Sequence, residues 1–398
     1  MKYPENVLKI MRIMKKHGHC AYAVGGCVRD VIMGREPNDW DMTTDASPEK
    51  MIEIFSLEGV RTIPTGLKHG TVTVLLDGET YEVTTFRIDG GYTDARHPDE
   101  VIFTQKVEED LARRDFTVNA MAAAPLGGVQ AFDGVATQKN AEIIDVFGGI
   151  ADINNKIIRA VGEPERRFTE DALRILRAVR FAAVLGFKIE EKTKKAAVEH
   201  AGGLQKVSIE RKIVELKKTL VSNGADEGIN LIFELGLAKY IHPDIKKPSR
   251  SLLTLPAKFE TRMAALFFEN ENVPDLSSLK LSRAESQSIK KLCDKRVFCH
   301  EVSEKNARRM IFEYGELACD AALLNQNPKL AEIIGVQAKN SPCVSIAGLK
   351  VSGNDLIGEG TEPRSIGKIM SYLLDRVIDE PELNEKSALI SLAKSFRG

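Results

Sequence analysis

No run of about 18 apolar residues occurs in the 398-residue chain, so the sequence offers no membrane-spanning helix. Its start, MKYPENVLKIMRIMKKHGHC, lacks an apolar signal core and reads as an amphipathic helix of the mature protein. Cysteine is sparse: six residues, scattered, the closest pairs being Cys20 with Cys27 and Cys293 with Cys299. That spacing argues against a disulfide framework and for free thiols in a reducing cytoplasm. Cys293, Cys299 and His300 lack a fourth partner and regular ligand spacing, so helix-packing thiols explain them better than zinc. Charge of one sign is also lacking. With a net charge of −1, any nucleic-acid partner must be held by local basic surface rather than by bulk attraction. There is no internal repeat and no low-complexity segment. What is present, 43% apolar and 28% charged residues, is enough for two or more cores.

The first third has strand character. CAYAVGG, DWDMTT, HGTVTVLL and YEVTTFRI are short β-branched runs bounded by Gly, Pro and Asp. Between them VRDVIMG and SPEKMIEIF read as helices, the second with Ser47 as N-cap and Pro48 at its first position. The expected head is therefore a small mixed sheet with helices on one side. From about residue 150, TEDALRILRAVRFAAVLGF, EEKTKKAAVEHAGGL and SIERKIVELKKTLV carry apolar residues at helical spacing, a habit that persists to the end. The fold class expected is α+β, with an all-helical remainder and a break around HPDIKKPSRSLLTLP.

The stretch GGCVRDVIMGREPNDWDM sets two carboxylates, Asp39 and Asp41, after a glycine turn. Alternate residues on a strand project to one side, so the two acids are expected together. Such a pair repels unless a cation lies between them. Oxygen ligands at a partly open site suit Mg²⁺, which keeps waters and takes further ligands from substrate phosphates. Two solvated turn acids would be the plainer account of a bare Asp-x-Asp. The neighbourhood favours the metal: Gly25 and Gly26 stand at a strand-to-helix turn suited to an anion, and Arg29 can reach a phosphate.

Gly-Gly-x-Val-Arg-Asp followed nine residues on by Asp-x-Asp resembles the signature of polymerase-β-like nucleotidyltransferases. In particular it is similar to the class II tRNA nucleotidyltransferases (CCA-adding enzymes) and bacterial poly(A) polymerases. EEDLARRDFTVNAMA resembles that group's ribose- and triphosphate-contacting motif, with Arg114, Asp115 and Asn119 at matching positions. FTEDALRILRAVRF resembles its Glu-Asp-x-x-Arg helix, VSIERKIVELKK its neck segment, and VSGNDLIGEG with NEKSALI its tail.

The resemblance implies that Asp171 and Arg174 are the template for the incoming base, with Arg177 and Arg180 on the same stripe. The chemistry is consistent. Cytosine and adenine each present an amino donor beside a ring-nitrogen acceptor, which a carboxylate and a guanidinium complement; guanine and uracil reverse both groups. In FRIDGGYTDARHPDEV the resemblance implies a flexible loop, with Arg87, Asp94 and Arg96 as its charged residues, needed when specificity moves from C to A. A plain hairpin with a charged tip is the other reading. Glu82 stands where related polymerases carry a third acid, and a structural role is weighed equally.

Taken together, the resemblance implies a nucleotidyltransferase head over residues 1–150, a neck over 151–222 with the base template, a helical body over 223–300 and a tRNA-binding tail over 301–398. The implied activity is template-independent CCA addition to tRNA from CTP and ATP, with Asp39 and Asp41 holding Mg²⁺, Glu82 beside them, and Gly26, Arg29, Arg114, Asp115, Asn119, Asp171, Arg174, Arg177 and Arg180 binding nucleotide. The expected partner is tRNA, with no membrane association; a homodimer is left open. The lysines of residues 206–218 and KKPSR are candidates for RNA contact. Three alternatives stand: an A-only enzyme, a poly(A) polymerase, and a non-catalytic tRNA-binding protein. The poly(A) enzyme is disfavoured because its arginine-rich stretch after Asp-x-Asp is missing. A C-terminal His-Asp phosphohydrolase is not expected, since no histidine follows His300.

Overall fold

The computed structural model of the chain describes residues 1–90, 101–127, 135–138, 141–340 and 342–396. It divides into two compact units, Met1–Ile241 and His242–Gly398. Among its described residues the first carries ten strands up to residue 144: β1 (Ala21–Val24), β2 (Met42–Thr44), β3 (Arg61–Gly66), β4 (Thr71–Leu76), β5 (Glu79–Thr85), β6 (Arg87–Asp89), β7 (Val101–Phe103), β8 (Ala122–Pro125), β9 (Val135–Gln138) and β10 (Ala141–Ile144). Eight form one sheet in the order β3-β4-β5-β2-β1-β8-β10-β9, while β6 and β7 pair separately. Within the large sheet β2 and β5 run parallel and the other pairs antiparallel, so the sheet is mixed, as expected.

Local chemistry explains the elements. β4 and β5 bury Val72, Val74, Tyr81 and Val83 at alternate positions, and the turn between them, Asp77–Gly78, takes positive φ at both residues. The helix Pro48–Leu57 begins as the sequence predicts, with the Ser47 side chain accepting from the Lys50 N–H. Two features depart from expectation. RTIPTG forms β3 despite Pro64, because β3 is an edge strand whose register shifts between Ile63 and Gly66. The strand expected over DWDMTT begins only at Met42, leaving Asp39 and Asp41 in the segment that leads into it.

Six helices follow in this unit: α1 (Gly149–Asn155), α2 (Pro164–Glu170), α3 (Leu173–Leu185), α4 (Glu191–His200), α5 (Ile209–Leu220) and α6 (Ala225–Glu234). The region is not wholly helical, since Ile157–Ile158 and Lys188–Ile189 form a short parallel ladder. Nor is TEDALRILRAVRFAAVLGF one helix. Asp171 adopts φ −149°, ψ 103°, and its carboxylate accepts from the Leu173 N–H, so α2 ends and α3 is capped there. Thr169 lies inside α2, its hydroxyl donating to the Glu165 carbonyl, and is not the cap. Helices α3, α5 and α6 approach closely: a Cβ on Gly228 would stand 2.3 Å from Thr219 Cγ2.

The second unit is helical among its described residues. Its core includes Leu356, Leu373, Val377 and Leu389. Buried Arg308 donates to the carbonyls of Ile378 and Asp379, satisfying the end of the helix Ile366–Asp379. Cys293 is buried and its thiol is pushed up to about 12 by desolvation, which suits a packing role. No helix among the described residues is long and apolar enough to cross a membrane.

Candidate active site

The Gly25 turn joins β1 to a short helix, Gly26–Ile32. Gly25 has φ 82°, ψ −130°, a region open to glycine alone, and a Cβ there would stand 3.0 Å from Arg114 Nη1. The turn thus draws the backbone against a guanidinium. Beside it the Val24 N–H donates to the Asp41 carbonyl at 2.9 Å, so the Asp41 backbone continues the β1–β2 ladder. Asp39 and Asp41 are both exposed, and neither carboxylate has a hydrogen-bond or ion-pair partner among the described residues. The Asp41 carboxyl is raised by desolvation and by Asp39, against the opposing pull of Arg114.

Glu82 is exposed on β5, one residue before Val83, which pairs with Met42 in the parallel ladder. Asp41 and Glu82 therefore precede the same register pair on neighbouring strands. Both line, with Asp39, a cleft of about 960 Å³ that Tyr3 and Trp40 also line, their rings 5.5 Å apart. Among the described residues no three His, Cys, Asp or Glu side chains converge as a ready metal cage. Two unpartnered hard oxygen donors at an open cleft fit Mg²⁺ completed by water and phosphate, and give no foothold to a soft metal.

A buried polar network, none of whose residues lines that cleft, runs from the helix after the glycine turn. Arg29 Nη1 donates to Asn119 Oδ1 at 2.6 Å and its Nε to Asp30 at 2.9 Å. Asn119 reaches Asp115 at 3.4 Å, and Asp115 pairs with Arg177 at 2.6 Å. Arg180 pairs with Glu215 at 2.6 Å and lies 4.0 Å from the Phe181 ring centroid; Arg29 and Arg177 flank the same ring at 5.5 and 5.4 Å. Burial, joined by Arg177 and Arg29, holds the Arg180 guanidinium below its usual range against Glu215. Arg29, Arg177 and Arg180 are thus occupied by protein partners. Arg114 pairs through one nitrogen with buried Asp110 at 3.3 Å, and its buried Nε, like that of Arg180, makes no hydrogen bond. Gly26 opens its helix 3.6 Å from Arg29 Nη2, measured from where its Cβ would stand.

Asp171 and Arg174 lie close in sequence yet do not pair with each other. Arg174 Nη1 donates to Glu170 at 2.6 Å and to the Arg167 carbonyl at 3.2 Å, and its Nη2 to the Arg113 carbonyl at 3.2 Å. Asp171 pairs with Arg211 at 2.6 Å. Sequence reading passed over Arg211, and Glu215 with it. The signal was present, since both lie on one helix within VSIERKIVELKK, but nothing in the spacing said which residues they would meet. One candidate for RNA contact is withdrawn. Lys212 is buried, donating to the carbonyls of Leu204 and Tyr240, with its ammonium lowered by desolvation. In the loop motif Arg87 donates to the His69 carbonyl and pairs with Asp89 at 3.4 Å, while Asp94 and Arg96 lie outside the described residues.

A family model described as the poly A polymerase head domain matches residues 21–159, and one described as a probable RNA and SrmB-binding site of polymerase A matches 186–247. A CCA-adding enzyme of Enterococcus faecalis is 35% identical, over 98% of this chain and 95% of that protein. The crystal structure of the Bacillus stearothermophilus CCA-adding enzyme in complex with CTP superposes with TM-score 0.80 at 31% identity, over 99% of this chain and 98% of that one. The Thermotoga maritima CCA-adding enzyme complexed with tRNA shares the fold, with TM-score 0.71 at 19% identity over 99% and 96% of the two chains.

Proposed function

As the chain belongs to the CCA-adding enzymes of the poly A polymerase head family, we propose that it adds C, C and A to the 3′ end of tRNA from CTP and ATP, releasing pyrophosphate. The observation that carries the site assignment is the pair Asp39 and Asp41, exposed and unpartnered beside the Gly25 turn and Arg114. Nucleotidyltransferases generally work with divalent metal ions, and Mg²⁺ is the ion these donors suit. Bound there, it would lower the charge barrier to attack by the terminal 3′-oxygen on the α-phosphorus and to departure of pyrophosphate. Asp39 and Asp41 would hold it, with Glu82 at the cleft wall. The approach of Arg114 Nη1 to the Gly25 turn, 3.0 Å from where a Gly25 Cβ would stand, supports a triphosphate contact for that residue. Arg29, Asp115, Asn119, Arg177 and Arg180 then act from behind, fixing the wall on which the nucleotide rests.

Base choice falls to Asp171 and Arg174, the first accepting from the amino group of C or A and the second donating to the ring nitrogen. The helical parts hold tRNA by shape and phosphate contacts, because the tRNA core varies in sequence. Cytoplasmic action follows from the substrate. The segment that carries Arg87, Asp94 and Arg96 is assigned to the move of the template from C to A, with Arg87 in β6 at its start. The deciding experiment offers the purified protein tRNA lacking CCA, CA or A, with CTP, ATP or both. Completion of all three ends supports full CCA addition; A added only to the CC-ended substrate selects the A-only reading, and long A tracts select poly(A) synthesis.

A further inference from the structure

Asp171 is held from two sides by two different helices. Its Oδ1 accepts from the Leu173 N–H at 3.0 Å, which is the cap of α3, and its Oδ2 meets Arg211 Nη2 at 2.6 Å, from the first turn of α5. Both side chains are largely withdrawn from water, at 14% and 24% exposure. Arg174, the obvious cation nearby, is turned to Glu170 and to two main-chain carbonyls instead. The residue after Asp171 is closely packed, since a Cβ on Gly203 would stand 2.8 Å from Ala172 Cβ.

A carboxylate tells an amino group from a carbonyl only while it presents an acceptor edge at a fixed angle. With one oxygen tied to a main-chain N–H and the other to a guanidinium, rotation about the Asp171 side chain would break both contacts. Each oxygen keeps a second lone-pair direction for the base. Freed of Arg211, the same carboxyl could turn, and the discrimination would fail.

We propose that Arg211 is a specificity-determining positioning residue, which fixes the Asp171 carboxylate as the acceptor that selects amino-bearing bases. It acts through Asp171 and need not touch the nucleotide. The inference rests on the assignment of Asp171 to base reading made above.

The test compares full-length wild type, Arg211→Gln and Arg211→Lys for binding of CTP against UTP by titration calorimetry, and for incorporation of each into tRNA lacking CCA. Arg211→Gln should lower the CTP/UTP preference about tenfold or more, through weaker CTP binding and a raised KM rather than a lowered kcat. Arg211→Lys, which keeps the charge and loses the fork, should lower it by roughly two- to fivefold. A merely structural ion pair would weaken both nucleotides alike, and an unchanged preference in Arg211→Gln overturns the proposal. Should that variant not fold, an unchanged preference in Arg211→Lys overturns it equally. Wild-type protein that binds CTP and UTP alike would overturn the base-reading assignment and this inference with it; wild type that selects CTP while the variants keep its preference would overturn this inference alone.

Discussion

Arg29 Nη1 donates to Asn119 Oδ1 at 2.6 Å, across 90 residues of sequence, with both residues buried. The bond ties the helix after the glycine turn to the motif that carries Arg114 and Asp115. Asn119→Ala would leave a buried guanidinium N–H without its acceptor, costing about 1–3 kcal/mol of stability. Urea unfolding should register that loss. Nucleotide KM should rise for CTP and ATP together, because the wall is shared by both; a rise for one nucleotide only would place Asn119 in base selection.

The ordered motifs were legible because each joins a backbone requirement to a charge. Gly25 with Asp39 and Asp41, Arg114 with Asn119, and Asp171 with Arg174 all lie in the unit Met1–Ile241. Ser47 before Pro48 announced its helix by cap chemistry alone. Edge-strand β3 was hidden by Pro64, whose meaning depends on which strand ends up outermost. The break at Asp171 was hidden because helical periodicity continues straight through it, and only a carboxylate turned back to the Leu173 N–H reveals the second cap. Lys212 looked like solvent-facing charge, and its burial follows from two carbonyls brought from residues 204 and 240. Partners distant in sequence are what periodicity cannot supply.

The acidic pair gives a direct prediction. Asp39→Ala and Asp41→Ala should each abolish C and A incorporation while leaving tRNA binding in place. Removing a ligand that organises several kcal/mol of charge stabilisation lowers the rate by at least about a thousandfold. Single-turnover incorporation and a filter-binding titration of the same preparations separate the two effects. Glu82→Ala, at the cleft wall but outside any three-donor cluster, should lose far less, about tenfold. Near-normal turnover in either aspartate variant would remove the metal assignment.

Gly25→Ala combines a forbidden conformation with a close contact. The backbone at φ 82°, ψ −130° resists any side chain, and the new methyl would press on Arg114 Nη1. A destabilisation of about 1–3 kcal/mol is expected from the backbone alone. The accompanying shift of Arg114 should lower kcat/KM for both nucleotides beyond what the unfolded fraction explains. Activity per folded molecule equal to wild type would show that the turn serves the fold only.

Acid sensitivity should trace in part to Asp115. Burial would raise its carboxyl, but Arg177 at 2.6 Å, aided by Arg174, outweighs burial and holds it below the ordinary range. A depressed folded-state value means that this contribution is complete above the unfolded value of about 3.9 and is lost as pH falls through the folded one. Asp115→Asn should therefore be less stable than wild type at neutral pH, and its stability should fall less between about pH 4 and the acid limit. Unfolding midpoints across that range read the difference. Parallel curves for the two proteins would assign the acid sensitivity to other carboxylates, buried Asp110 beside Arg113 and Arg114 being the next to examine.

Arg174 is the residue on which base selection should turn. Its guanidinium is aimed by Glu170 at 2.6 Å and by the carbonyls of Arg167 and Arg113, the last lying next to Arg114 in the triphosphate motif. That bracing suits a donor that must meet a ring nitrogen at one angle. Truncation to Ala removes the donor for C and for A alike, and a good paired contact is worth about 1–3 kcal/mol of discrimination. Misincorporation of U or G should then rise roughly tenfold or more relative to C and A. Glu170→Gln keeps the guanidinium and loosens its aim, so the same misincorporation ratio should rise, by less. Single-turnover incorporation of all four nucleotides measures both variants. An Arg174→Ala protein that is slow yet fully selective would move the residue from the base to the triphosphate, and Glu170→Gln would then slow all four nucleotides equally.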